Sequence, residues 1–253
     1  MPWATKTNMR RKLVENLKRV RERIHAACER CGRQPEGICL VAVTKTVEVD
    51  VIRSGIETGL LNLGENRVQD LVKRAGMVRE YLNRRRAIEH DHTVPQPRWH
   101  MVGHLQRNKV RMVLPWIESV HSVDSLRLAE EIGAQATNLG KTVRAMIEVN
   151  VSGEKAKFGI AVGAVAHLIA NIITMPGIEI VGLMTMAPLV EDPEQARPSF
   201  ARLREVLEDV RAERIGGPAF RELSMGMSND FEVAIEEGAT IVRIGRALFD
   251  GVA

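Results

Sequence analysis

Strand-like and helix-like segments alternate along almost the whole chain, and that alternation leaves few folds open. Apolar runs of strand length occupy about residues 38–46, 60–66, 99–105, 117–123, 144–151, 179–186, 221–225 and 240–249. Segments with helical spacing separate them, at about 49–59, up to 86, 108–114, 125–138, 162–174, 193–214 and 229–237. Strands regularly separated by helices form parallel sheets through right-handed crossovers. Eight such units in about 215 residues, with no Pro/Gly-rich linker, predict an α/β fold: one (β/α)8 TIM-type barrel domain over residues 1–253. An extra amphipathic helix over about residues 7–30 precedes the first strand, with Leu13, Leu17, Val20 and Ile24 on one side and Gly32 as its stop. Residues 1–36 are expected to pack on the barrel. No Gly-x-Gly-x-x-Gly turn follows the first strand, which weighs against an open doubly wound sheet.

Composition narrows the function classes. With 45% hydrophobic and 27% charged residues, the chain has an ordinary globular balance, and no apolar run reaches membrane-spanning length. The first residues lack a signal-peptide core, so a cytoplasmic location is the expectation. The net charge of +4 is carried largely by Arg84-Arg85-Arg86 and the basic first helix. Five Phe, three Trp and one Tyr supply few stacking platforms, so a solvated basic face is favoured over nucleic-acid binding. His25, Cys28, Cys31 and Cys39 lack a second ligand pair on a separate turn, and the pair His90 and His92 around Asp91 lacks a full ligand set; neither is expected to hold metal. Cys39 is expected to pack as a small hydrophobe.

Barrel active sites lie at the C-terminal ends of the strands, and phosphate commonly binds after the last two. The end of the first strand carries Lys45, after Leu40-Val41-Ala42-Val43-Thr44. Desolvation at a barrel mouth lowers a lysine pKa, and the neutral amine attacks carbonyls. The seventh strand ends in Leu223-Ser224-Met225-Gly226-Met227-Ser228-Asn229 and the eighth in Arg243-Ile244-Gly245-Arg246. Both hold small residues where backbone N–H groups meet an anion. Ser228 is also a natural N-cap for the following helix. Strand parity puts Ile241, Arg243 and Gly245 on one face, and Met146, Glu148 and Asn150 on the inward face of the fifth strand. An inward arginine needs a partner, and Glu148 is a candidate for a buried ion pair with it.

Seven motifs in order carry a resemblance: Leu40–Lys45, Gly64-Glu65-Asn66-Arg67-Val68-Gln69, Trp99–Lys109, His121-Ser122-Val123-Asp124, Gly182-Leu183-Met184-Thr185-Met186, Leu223–Asp230 and Val242–Arg246. Together they resemble the pyridoxal phosphate homeostasis proteins (YggS/PROSC family), relatives of the barrel domain of alanine racemase. The resemblance implies pyridoxal 5′-phosphate (PLP) as cofactor, with Lys45 as its Schiff-base lysine. It implies a phosphate site at Ser224 and Met225 with the N–H groups of Gly245 and Arg246, Arg243 near the pyridine nitrogen, and Asn66 at the mouth. His100 and Met184 are further pocket residues. Many members carry Ser or Thr where this chain has Arg246, whose guanidinium either replaces the hydroxyl contact or points to solvent.

A racemase of this fold type uses a second base, a tyrosine from a C-terminal β domain. The chain ends four residues after the last predicted strand, so that domain is expected to be absent, and the single tyrosine, Tyr81, lies in a charged helix. Arginine stays protonated and beside the pyridine nitrogen disfavours its protonation, which weakens the ring as an electron sink. The expectation is therefore a carrier more than an enzyme. It would hold PLP reversibly, take part in intracellular PLP supply, and have apo-enzymes as acceptors, as a monomer or weak dimer without membrane attachment. A PLP-dependent amino-acid racemase, or another small enzyme of this fold type, is the alternative.

Overall fold

The computed structural model describes residues 2–88, 95–154 and 158–252. The segment holding His90, Asp91 and His92 lies outside the described residues. Among the described residues, nine strands run as β1 (Cys39–Val43), β2 (Asn62–Glu65), β3 (Arg98–Met101), β4 (Ser119–Val123), β5 (Val143–Asn150), the two-residue β6 (Ile160–Ala161), β7 (Ile178–Met184), β8 (Glu222–Ser224) and β9 (Ile241–Ile244). The order β4-β3-β2-β1-β9-β8-β7-β5, closed by β4 pairing with β5, makes an eight-stranded parallel barrel; β6 lies outside it against β5. The helices are α1 (Pro2–Arg30), α2 (Val49–Glu57), α3 (Val68–Ile88), α4 (Val110–Val113), α5 (Leu126–Asn138), α6 (Val165–Ile172), α7 (Arg197–Ala212), α8 (Phe231–Glu236) and α9 (Arg246–Phe249). None among the described residues is long and apolar enough to cross a membrane.

Side-chain alternation separates two cores. Ala42, Leu63, Ala145, Ile147, Val149, Ile180 and Leu183 point outward and pack under the helices. Val41, Val102, Met146, Val181, Met184 and Ile241 fill the barrel interior. Against β5, the register of β7 steps from Ile180 to Gly182, so Val181 is the extra residue of a bulge.

Helix α1 begins at Pro2, a favoured first position. Its Leu13, Leu17, Val20 and Ile24 are buried, as their spacing predicts. It is tied to the barrel by Asn16, whose Nδ2 donates to the carbonyls of Leu248 and Asp250 at 3.0 and 2.9 Å. Arg23 and Arg30 pair with Glu232 and Glu236, each at 2.6 Å.

The strands are shorter than their apolar runs. The last stops at Ile244, and the predicted strand residues 246–249 are helix α9 instead. Their apolar character serves helix packing: Leu248 and Phe249 are buried. Cys28 is buried in α1, and Cys31, just past its end, donates to the carbonyl of Ala27 at 3.2 Å. Burial pushes the Cys39 thiol up to about 11.

Candidate functional site

A cavity of about 400 Å³ opens at the C-terminal ends of the strands. It gathers Lys45 past β1, Asn66 past β2, Glu148 on β5, Arg243 on β9, and Gly245 and Arg246 beyond it. Met227, Ser228, Asn229 and Asp230 close one side, and Phe158, Met186 and Leu189 form an exposed apolar rim.

Lys45 is exposed at this mouth, not buried as the apolar run before it suggests. The chain leaves the barrel at Val43, and Thr44 is the buried residue of the turn, its hydroxyl bonded to the Glu65 carboxylate. Glu65 also meets Arg74 at 2.8 Å, so the turn that carries Lys45 is held by a buried acid. The Lys45 amine has no ion-pair partner among the described residues.

The loop after β8 presents backbone donors to the cavity. Gly226 turns it with φ +90°. The Met227 N–H donates to Asp230 Oδ1 at 2.6 Å, while the N–H groups of Ser228 and Asn229 have no acceptor among the described residues. Ser228 does not cap α8, because Asp230 stands at that position. Its hydroxyl instead accepts from the Ala247 N–H at 3.2 Å and joins the loop to α9. Arg246 is exposed beside them, its guanidinium free of ion pairs among the described residues. The N–H groups of Gly245 and Arg246, between β9 and α9, likewise have no acceptor among the described residues, so free backbone donors lie past both β8 and β9. Ser224 and Met225 are fully buried one turn below and do not line the cavity.

Arg243 is 5% exposed. Nη1 donates to the carbonyl and hydroxyl oxygens of Ser224, and Nη2 donates to the Thr185 carbonyl at 2.9 Å. Burial lowers its pKa to about 10 against the opposing pull of Glu148 and Asp230. The candidate Arg243–Glu148 ion pair is not made: no contact within 4.0 Å joins them among the described residues, because carbonyls and a hydroxyl already take up both terminal nitrogens.

His100 and Met184 also lie away from the cavity surface. Met184 packs inside the barrel beside Met146. His100 belongs to a polar chain beneath Arg243. The Ser224 hydroxyl meets His121 Nδ1 at 2.8 Å, His121 Nε2 meets the Ser119 hydroxyl at 3.0 Å, that hydroxyl meets His100 Nδ1 at 2.7 Å, and His100 Nε2 meets Asn62 Oδ1 at 3.2 Å. One donor order satisfies every member: arginine to serine, serine to His121, His121 to Ser119, Ser119 to His100, and His100 to Asn62. It requires both imidazoles neutral. Burial agrees, lowering His100 to about 4 and His121 well below the usual range. Sequence reasoning assigned no role to Ser119 and His121; their polar i, i+2 spacing, on one face of β4, was the available signal.

Glu148 is 4% exposed, and its Oε2 has no hydrogen-bond partner among the described residues. Burial, reinforced by Asp124 and opposed by Arg243, pushes its pKa up to about 7. Tyr81 is remote, its hydroxyl donating to Glu57 at 2.7 Å.

The donor set fits a ligand with an aldehyde for Lys45 and an anionic group for the backbone donors. Residues 12–251 match the family described as alanine racemase, N-terminal domain. The pyridoxal phosphate homeostasis protein of Aquifex aeolicus is 41% identical over 93% of this chain and 96% of its own length. A solved structure of an unknown protein from Bifidobacterium adolescentis superposes with TM-score 0.86 at 37% identity, covering 96% of each chain. That of PipY from Synechococcus elongatus, determined with PLP bound, has TM-score 0.77 at 27% identity, over 94% of this chain and 99% of that one. Similarity of this extent, on a barrel with an exposed lysine and unpaired backbone donors at its mouth, shows that the chain belongs to the pyridoxal phosphate homeostasis proteins, within the alanine racemase N-terminal domain family.

Proposed function

We propose that this protein binds pyridoxal 5′-phosphate reversibly on Lys45 and takes part in keeping the cofactor available within the cytoplasm. The carrying observation is the pairing, in one cavity, of an exposed lysine and the N–H donors of Ser228, Asn229, Gly245 and Arg246, all without partners among the described residues. When bound, the cofactor supplies an aldehyde that condenses with an amine and loses water. Ser228, Asn229 and Arg246 would hold its phosphate, and Arg243, fixed by Ser224 and Thr185, would face its ring. Asn66 stands at the mouth beside Lys45. Apo-enzymes are the acceptors this role requires, and a monomer or weak dimer is consistent with an uncovered mouth.

The test is the absorbance spectrum of the protein mixed with PLP. A lysine-linked band is expected in the native chain and absent in Lys45→Ala. A band unchanged by that substitution assigns the cofactor to another lysine.

A further inference from the structure

Around the barrel, β5 is the fourth strand from β1 in either direction. Glu148 on β5 therefore stands across the mouth from Lys45, and both line the same cavity. A carboxyl group that is 4% exposed and whose Oε2 lacks a hydrogen-bond partner among the described residues is costly, and such groups mark sites where a ligand completes the set. The inward side chains of the other strands do not complete it. Strand β7 presents Met184 opposite Glu148, and β9 presents Arg243, whose terminal nitrogens are engaged elsewhere. Past β4, Asp124 adds a second negative charge and is itself paired with His104 at 3.3 Å. Asp230, ahead of α8, accepts from the Met227 N–H. The missing partner is thus a donor, and a positively charged one is favoured by the two acids.

We propose that Glu148 receives a primary amine entering the barrel mouth and takes its proton, so that the amine can displace the cofactor from Lys45. The inference rests on the PLP reading above. The amine arrives as an ammonium ion. One N–H bond breaks, the proton moves to the carboxylate, and the electron pair stays on nitrogen as the nucleophile. That nitrogen then replaces the Lys45 nitrogen on the aldehyde carbon. One carbon–nitrogen double bond is made as another is broken. The three hydrogens that leave the incoming nitrogen, one by way of Glu148, end on the Lys45 nitrogen. Nothing is oxidised or reduced, and the co-reactant is the amine alone. A base poised near neutral pH suits this task, and burial holds Glu148 there.

Methylamine is the probe. Protein saturated with PLP is mixed with it, and free cofactor is measured after rapid ultrafiltration. The release rate should rise with pH through an inflection near 7. In Glu148→Gln it should fall roughly tenfold or more at pH 8 and lose that inflection. Asp124→Asn, which removes the neighbouring charge, should move the inflection to lower pH. In the cofactor-free protein, the ¹³C carboxyl resonance of Glu148 should titrate near neutral pH and shift its midpoint downward when methylammonium is added. Unchanged rate and inflection in Glu148→Gln, or a carboxyl indifferent to methylammonium, overturn the proposal. Loss of the PLP band's dependence on Lys45 overturns the binding reading instead, so the two failures are distinct.

Discussion

Arg243 donates from one terminal nitrogen to both the carbonyl and the hydroxyl oxygen of Ser224, at 2.6 and 2.7 Å. The contact fixes the guanidinium at the cavity wall and orders the protons beneath it. With the serine oxygen accepting from arginine, its own proton is directed to His121. A cation at the barrel mouth is thereby linked through two neutral histidines to Asn62, near the opposite end of the barrel.

Ser224→Ala tests this link. It leaves His121 Nδ1 without its donor and one arginine contact unmade, in a fully buried setting. A loss of about 1–3 kcal/mol in denaturant unfolding is expected. The absorbance maximum of bound PLP should also move, because the charge beside the ring is no longer fixed. A spectrum and stability equal to the native protein's would remove Ser224 from the arrangement.

The two histidines make the fold acid-sensitive. In the unfolded chain they titrate near their ordinary value, about 6.5. In the fold they are held lower, His100 at about 4. The unfolded state therefore binds more protons between these values, and the histidine contribution to stability is full above pH 6.5 and is lost as pH falls toward 4. For His100 alone this is on the order of 3 kcal/mol. Glu148 acts oppositely: its raised pKa makes its burial cheapest in acid. Imidazole NMR separates the two effects. Both ring signals should remain those of neutral histidine at pH 5.5, and a midpoint near 6.5 for either would contradict the network.

Gly226→Ala probes the donor loop after β8. A Cβ there would approach Ala234 Cβ at 2.6 Å and Phe231 Cα at 2.9 Å, with φ in the left-handed region. The Gly226 carbonyl also accepts from the Arg243 N–H at 3.0 Å. The loop must shift, at a cost of about 1–3 kcal/mol. Affinity for PLP should fall more than affinity for pyridoxal, which lacks the phosphate. Equal losses for both would place the phosphate elsewhere.

Much of this architecture was legible from pattern. The eight apolar runs and their helical spacers specify parallel crossovers, and two-residue alternation on β5 correctly separated Met146 and Glu148 from Ala145, Ile147 and Val149. Depth along a strand was not legible. Ser224 and Ser228 are both small hydroxyl residues in one motif, yet only the turn at Gly226 decides that one lies under Arg243 and the other at the mouth. Strand ends were misjudged where apolar residues serve a helix, as in α9.

By itself, then, the sequence determined the barrel, its order and the strand ends where chemistry collects, because hydrophobic periodicity and crossover handedness are local consequences of backbone geometry. Which polar groups meet was decided only by closure of the sheet. Bringing β4 against β5 seals a ring in which Lys45 and Glu148 face one another, while Arg243 is claimed by Ser224 and Thr185 instead of by the acid its charge suggests. Partner choice inside a barrel depends on register and depth across strands distant in sequence, and only the tertiary structure sets those.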